Sequence, residues 1–404
     1  MADKVAIISV DGHVKPPRQE YRTYLDPTHR AAYDEVVRAT EQTPDGFVHP
    51  GIGETSQWDV SQRLADLETQ GVVAEVLFSN GQPFAEPASD RSIDPATTKA
   101  SYTAYNRWLV DFCAQAPTRL HGLAAVSFDD VPQAVTDVQW AKEQGFVGIA
   151  MPPLHLGGPY FFDPALDPIW AACQEAGLVL CQHGGTGSPE YAPKSFASFM
   201  VLAAEHWFFS SRSLWQLILG GVFERFPQLK LAMIETEQWW IGPVFDLLDG
   251  RETKGDDWSE FAETLGRLKP YRRLPSEYWS DNCFAGLSPF LSDQLPPQTG
   301  RPGFTLAPAN AMIGIDYPHP ETTFPGSLRE VKRLVERDDL TRDDVLRVLH
   351  GNAASVFGID LQELAPVIDR IGVDLDAIPE VPVAERQATS LFDVVKLAGK
   401  DTGE

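Results

Sequence analysis

The chain has 404 residues, 43% hydrophobic and 22% charged, enough apolar material for the core of one large globular domain. A formal net charge of −24 argues against a nucleic-acid backbone or an anionic membrane surface as partner. The four cysteines (Cys113, Cys173, Cys181, Cys283) stand far apart with no CxxC pair, so they read as buried free thiols and not as a disulfide framework.

The start, "MADKVAIISVDGH", lacks the basic and then apolar pattern of a signal peptide, and no apolar run reaches membrane-spanning length. A cytoplasmic protein is the expectation. Along the chain a short apolar run, a turn and a helical segment recur. "VAIISV" (5–10) leads into "DGH", and "SQRLADLETQG" leads into "VVAEVLFSN" (72–80). "LHGLAAVSF" (120–128) precedes a helical "DDVPQAVTDVQWAKEQG", and "FVGIAMPP" (146–153) follows it. "DPALDPIWAACQEAG" has the Asp start and Gly stop of a helix and delivers the chain into "LVLCQHGG". "SLWQLILGGVFERFP" then ends at "LKLAMIETE" (229–237); "YWSDNCFAG" is a weaker strand, and "AMIGIDYPH" (311–319) a strong one. "SLREVKRLVERDDLTRDDVLRVLHGNAASVFG" reads as closing helices.

Alternating β and α units imply a parallel sheet, and eight of them favour a (β/α)8 TIM barrel over an open doubly wound sheet. No GxGxxG or GxxxxGK[ST] follows the first strand, which weakens a nucleotide-binding reading. Residues 1–358 form the expected barrel, with insertions at about 18–60 and 252–278, each long enough for a lid or a subunit contact. Residues 359–404 form a C-terminal extension, a helix and then a surface-wrapping arm.

Catalytic groups of such barrels sit where the strands end, at the C-terminal face. Asp11 and His13 close the first run, two apart and so on one side of a strand. His183 closes "LVLCQH" before two glycines that admit close backbone approach of a ligand. Glu235 closes "LAMIE"; Asp316 closes "AMIGID", with His319 three residues on. Each also has a plain structural reading: Asp11 as a turn residue, an acid as a helix cap, His319 as a brace for the "YPHP" turn. Their coincidence at four strand ends makes a nitrogen and oxygen ligand set suited to a divalent metal such as zinc. His29, His49, His121, His155 and His350 have no supporting neighbours and read as structural.

The ordered pieces "SVDGHVKPP", "RLADLETQGVVAEVLFSN", "AKEQGFVGIAMPP", "FDPALDPIWAACQEAGLVLCQHGG", "GGVFERFPQLKLAMIETEQWW", "GIDYPHPETTFPGS" and "LHGNAASVFGID" resemble one family over residues 5 to 360. It is the amidohydrolase-superfamily branch that includes aminocarboxymuconate-semialdehyde decarboxylase and the amidohydrolase 2 proteins. The resemblance implies a distorted (β/α)8 barrel holding one divalent metal, often zinc and in some members manganese, and a homodimer or higher homo-oligomer. It puts Asp11 and His13 in the place of the first-strand ligand pair, His183 at the fifth-strand ligand and Asp316 at the last-strand ligand, which can also handle a proton. Glu235 falls where some members carry a general-base histidine. Many relatives of the Asp-x-His type have a glutamate where this chain has Pro16, so any role of that acid is absent here.

A bound divalent ion lowers the pKa of a coordinated water from about 15.7 towards 7. With Asp316 or Glu235 moving the proton, the first expectation is hydrolysis of a small aromatic or cyclic amide, lactone or C–C substrate. Non-oxidative decarboxylation of an aromatic or unsaturated acid comes second, and a non-catalytic metal-binding barrel third. Trp239 or Trp240, just past Glu235, and His206 in "EHWFF" are candidate pocket walls, each with a core-packing alternative. Lys15 and Arg18 are candidate partners for a substrate carboxylate, with surface solvation as the other reading. His319 completes the candidate substrate-binding set.

Overall fold

The aliphatic runs do become strands. In the computed structural model, which describes residues 4–39, 48–81, 95–152, 160–189, 191, 195–253, 258–298 and 303–379, eight strands pair in parallel and in chain order. They are β1 (Ile7–Val14), β2 (Val72–Ser79), β3 (Leu120–Ala125), β4 (Gly148–Ala150), β5 (Val179–His183), β6 (Leu231–Ile234), β7 (Cys283–Leu287) and β8 (Ala311–Ile313). Helices follow the strands, and a parallel bridge between Gly12 and Tyr317 brings the last strand's continuation back to the first. This is the expected (β/α)8 barrel.

Period-2 alternation sorts the side chains. Val179, Cys181, Ala232, Ile234 and Met312 fill the barrel interior, while Leu180, Leu231 and Met233 pack outward against the helices. On β1 the alternation breaks. Ile8 and Val10 join the interior cluster, yet Val14 joins the outer one. Between Ser9 and Gly12 the register with β2 slips: three steps on β1 face two on β2, from Ser9↔Glu75 to Gly12↔Leu77. Such a bulge exchanges the two faces of the strand beyond it. Hydrophobic Val10 and ionisable Asp11, adjacent in sequence, can then both serve the barrel's inner side.

The floor of the barrel is closed from the far end of the chain. Ala353, Phe357, Ile359 and Leu364 join the interior cluster with Ala6, Ile8 and Val73. Val5 and Val373 exchange backbone hydrogen bonds of 2.8 and 2.9 Å, tying the segment after helix Leu361–Ile371 to the chain's start. The expected helix of the C-terminal extension is present; residues 380–404 and His155 lie outside the described residues. The weak strand "YWSDNCFAG" is corrected: its first half lies in helix Pro275–Asn282, and only Cys283 onward is β7. Pro275 in the first turn and Glu277, accepting from the Leu274 amide at 2.8 Å, start a helix there. The first insertion carries helices Arg18–Tyr24 and Arg30–Ala39. Among the described residues, no helix is long and apolar enough to cross a membrane. Cys113, Cys173, Cys181 and Cys283 are all free thiols, as expected.

One surface network joins this floor to the barrel wall. Arg370 grips the Glu68 carboxylate, and Arg119 Nη1 donates to it at 2.5 Å while its Nε holds the Val73 carbonyl. Hydrogen bonds from Arg370 and then Arg119 bring Glu68 down from 4.5 to about 2. A depressed carboxyl stabilises the fold above its unfolded value and loses that contribution as pH falls through the folded one. Solvent screening holds the contribution to about 1 kcal/mol. Glu68→Gln should therefore lower stability at pH 7 by about that amount, and the gap to wild type should close as pH falls from 4.5 towards 2. Urea unfolding of both proteins across that range is the check.

Candidate metal centre

The expected ligands converge at the C-terminal mouth of the barrel. His13 Nε2 lies 3.2 Å from Asp11 Oδ1 and 3.1 Å from Asp316 Oδ1. His183 Nε2 lies 3.4 Å from the same Asp11 oxygen and 3.5 Å from Glu235 Oε2. His319 stacks on the His13 ring at 3.7 Å, with Nδ1 3.0 Å from Asp316 Oδ1 and Nε2 3.1 Å from Asn80 Oδ1. Phe78 closes one side, its ring 4.7 Å from His183 and edge-on.

What these atoms share is that they accept. The other ring nitrogen of His13 faces the Ser79 carbonyl at 3.4 Å, and that of His183 faces the Gly184 carbonyl at 2.9 Å. A carbonyl can only accept, so each Nδ1 carries a proton, and in the neutral ring each Nε2 presents a lone pair. Those lone pairs point at carboxylate oxygens, which also only accept. His13 Nε2, Asp11 Oδ2 and both Asp316 oxygens are buried with no hydrogen-bond partner. Buried acceptors turned on one another are costly unless a cation lies between them. Ligands ~2.1 Å from a shared ion lie roughly 3.0–3.4 Å from one another, the spacing seen here. Asp11, His13 and His183 therefore fit a divalent ion, and His13, Asp316 and His319 form a second trio that shares His13 with it. Asp11 faces the same point as the two imidazoles, and the Ser79 carbonyl faces the other nitrogen of His13.

Backbone geometry aims these groups. Glu235 and Asp316 are left-handed, at φ 53° and 57°, a conformation costing a non-glycine residue roughly 1–2 kcal/mol. Residues so strained cluster at functional sites. A Cβ on Gly184 would lie 2.1 Å from the Glu235 carbonyl oxygen. The first glycine after His183 thus makes room for the neighbouring strand end, while a Cβ on Gly185 would meet nothing within 4 Å.

Burial works against charge here, and the neighbours decide the outcome. Burial lowers His13 and His183, but Asp11 outweighs it and brings them to about 10 and 9. Burial and then Asp316 raise Glu235 well above the carboxylate range, and the same pair raise Glu321 to about 8. Glu321 escapes the sequence reading although it stands two residues past His319; its carboxylate lies with Glu235 and Asp316 in one cluster. Phe78 and Asn80, at the end of β2, escape it too, because an apolar ring and an amide carry no ligand signal.

The remaining candidates lie elsewhere. Trp240 is buried in the outer core with its indole N–H on the Thr236 carbonyl at 2.7 Å, so it is a packing residue and not a pocket wall. Trp239 is 62% exposed and packs edge-on against Trp207. His206 bonds the Ala203 carbonyl of its own helix and lies 3.9 Å from Glu237. Lys15 follows β1, its amide donating to the Gln57 carbonyl, and Arg18 opens the first helix, its carbonyl accepting from Tyr33.

A parallel eight-stranded barrel with a histidine and carboxylate cluster at the strands' C-terminal ends is the arrangement of a barrel enzyme with its chemistry at that face. The chain belongs to the amidohydrolase family, whose profile matches residues 10–359, and is an enzyme of that superfamily. It is 24% identical over 314 residues to 2-amino-3-carboxymuconate-6-semialdehyde decarboxylase of Dictyostelium discoideum, covering 75% of this chain and 77% of the relative. It is 22% identical to gamma-resorcylate decarboxylase of a Polaromonas species, covering 75% and 88%. The fold matches 5-carboxyvanillate decarboxylase of Sphingomonas paucimobilis with a TM-score of 0.63 at 20% identity, covering 88% of this chain and all of that one. It also matches dihydroxybenzoic acid decarboxylase of Polaromonas with bound manganese and 2-nitroresorcinol, TM-score 0.60 at 16% identity, covering 88% and 97%.

These relatives overturn hydrolysis as the first reading, since both sequence relatives are decarboxylases. The physical reason is that one ligand set can activate a water or hold a substrate's oxygens, so the ligands alone do not choose between the two reactions. Membership in an enzyme family also stands against the non-catalytic barrel.

Protons and a divalent ion compete for the two imidazoles, which are raised above neutrality. Metal binding at pH 7 should release protons and tighten as pH rises towards 9. Calorimetry with manganese in buffers of different ionisation enthalpy measures the release. At about 100 times its Kd the ion should add roughly 2.7 kcal/mol of stability, reversed by a chelator.

Proposed function

We propose that this enzyme is a metal-dependent, non-oxidative decarboxylase of a small carboxylic acid, with hydroxylated aromatic acids as the first substrate class. The observation that carries the reading is the position of Glu235, its Oε2 3.5 Å from His183 Nε2 and its carboxylate in one cluster with Asp316 and Glu321. The names of the relatives support the same chemistry.

Asp11, His13, His183 and Asp316 would hold the ion. When bound, it would supply positive charge that holds the substrate's oxygens and draws off negative charge as the carbon–carbon bond breaks. The donor set suits zinc or manganese, and manganese is the ion of the similar Polaromonas structure. The chain's own groups do the rest. Phe78, edge-on to His183, gives an aromatic substrate an apolar wall. Glu235, whose carboxyl burial and the Asp316 charge push upward, donates its proton to the carbon that carried the carboxylate. The pair of the broken bond takes that proton, CO2 leaves, and Glu235 regains a proton from water. No oxidant or reductant is required.

Protein loaded with manganese, and separately with zinc, is tested on 2,6-dihydroxybenzoate and 5-carboxyvanillate. The expected result is CO2 release, with one deuterium on the product ring when the reaction runs in D2O. Ring-opened or hydrolysed acid without CO2 overturns the reading. Glu235→Gln should lower kcat roughly 10²- to 10⁴-fold while keeping the ion. His183→Ala should lose the ion itself, which metal analysis reads directly.

A further inference from the structure

The spacer of "DGH" points to a residue that the chemistry above does not use. A Cβ on Gly12 would lie 2.6 Å from Glu75 Oε1 and 2.7 Å from Arg63 Nη2. The space beside β1 is filled by an ion pair between two side chains of 0% exposure, Arg63 Nε to Glu75 Oε2 at 2.7 Å. Arg63 belongs to helix Val60–Glu68, ahead of β2, and its guanidinium reaches across the seam where the barrel closes.

That seam is thinly bonded. β8 ends at Ile313, and beyond it the two ends meet through two backbone hydrogen bonds, Asp316 N–H to the Asp11 carbonyl and His13 N–H to the Tyr317 carbonyl. Arg63 supplies what a longer ladder would. Nη1 donates to the His13 carbonyl at 2.9 Å and to the Ser56 carbonyl at 3.2 Å; Nη2 donates to the Tyr317 carbonyl at 3.1 Å. The guanidinium also lies over the Tyr317 ring at 4.9 Å. One side chain thus grips the carbonyl of His13 and that of Tyr317, the residue after Asp316, and pins both to the insertion at Ser56. Those two residues supply ligand atoms 3.1 Å apart.

We propose that Arg63 is a positioning residue for the metal centre: its fork sets the separation of His13 and Asp316 across the β1–β8 seam, and Gly12 is there to admit it. This rests on Asp11, His13, His183 and Asp316 holding a divalent ion. A planar, five-donor fork can hold three carbonyls and a carboxylate at once, one acceptor more than lysine's three donors can serve. Glu75 fixes the fork's orientation and balances its charge in the interior.

The test measures manganese affinity, by competition with a chelator, in wild type, R63M/E75L and R63K. The double variant removes both buried charges together, so that neither is left unpaired in the core. R63K keeps a cation against Glu75 and serves as the second probe should the double variant not fold. Folding is followed by circular dichroism. The expected result is a folded variant whose manganese affinity is weaker by roughly 10- to 100-fold, the range for partners that orient metal ligands. A residue that served stability alone would move the melting temperature and leave that affinity unchanged. Wild type that binds manganese alongside a folded variant of equal affinity overturns the role of Arg63. Wild type that binds neither manganese nor zinc overturns the metal reading, and this proposal with it.

Discussion

Acceptors that face acceptors govern this molecule. His13 Nε2, Asp11 Oδ2 and both Asp316 oxygens are buried together without a hydrogen-bond partner. Nothing apolar can relieve that arrangement, and solvent is largely shut out. A positive charge is the remaining solution, whether a divalent ion or protons drawn onto the imidazoles. The raised titration of His13 and His183 and the fit to a cation are two expressions of one constraint.

The barrel is built around meeting that constraint. The β1 bulge turns Asp11 and His13 to the inner side without giving up the hydrophobic packing of Ile8 and Val10 beneath them. Left-handed backbone at Glu235 and Asp316 sends two more carboxylates to the same mouth. The energy for such strain comes from the apolar interior below, closed by Phe357, Ile359 and Leu364 from the end of the chain. Stability is concentrated at the floor and chemistry at the mouth, as the barrel architecture favours.

Much of this was legible in the residues. Eight apolar runs alternating with helical segments are enough for a (β/α)8 barrel, because each run must be buried and parallel neighbours need a crossover. His13, His183 and Asp316 stood out because an ionisable group directly after an aliphatic run is expensive unless it is coordinated. Trp240 stayed open between core and pocket, since an indole beside a catalytic segment has the same letter whether it faces core or cleft. Tyr278–Asn282 was misread since aromatic content outweighed the proline and glutamate that start a helix. Hydrolysis was put first because ligands alone do not distinguish activating water from gripping a substrate.

The sequence by itself determined the barrel and the strand ends that carry the ionisable groups, since these follow from periodicity and from the cost of burying charge. Tertiary structure alone decided which way those groups face. The register slip that brings Asp11 inward depends on pairing with β2. The approach of Glu321 to Asp316, and of Arg63 to carbonyls 50 and 254 residues away, depends on closure of the barrel. Distances between strand ends are set by the whole sheet, and no local pattern encodes them.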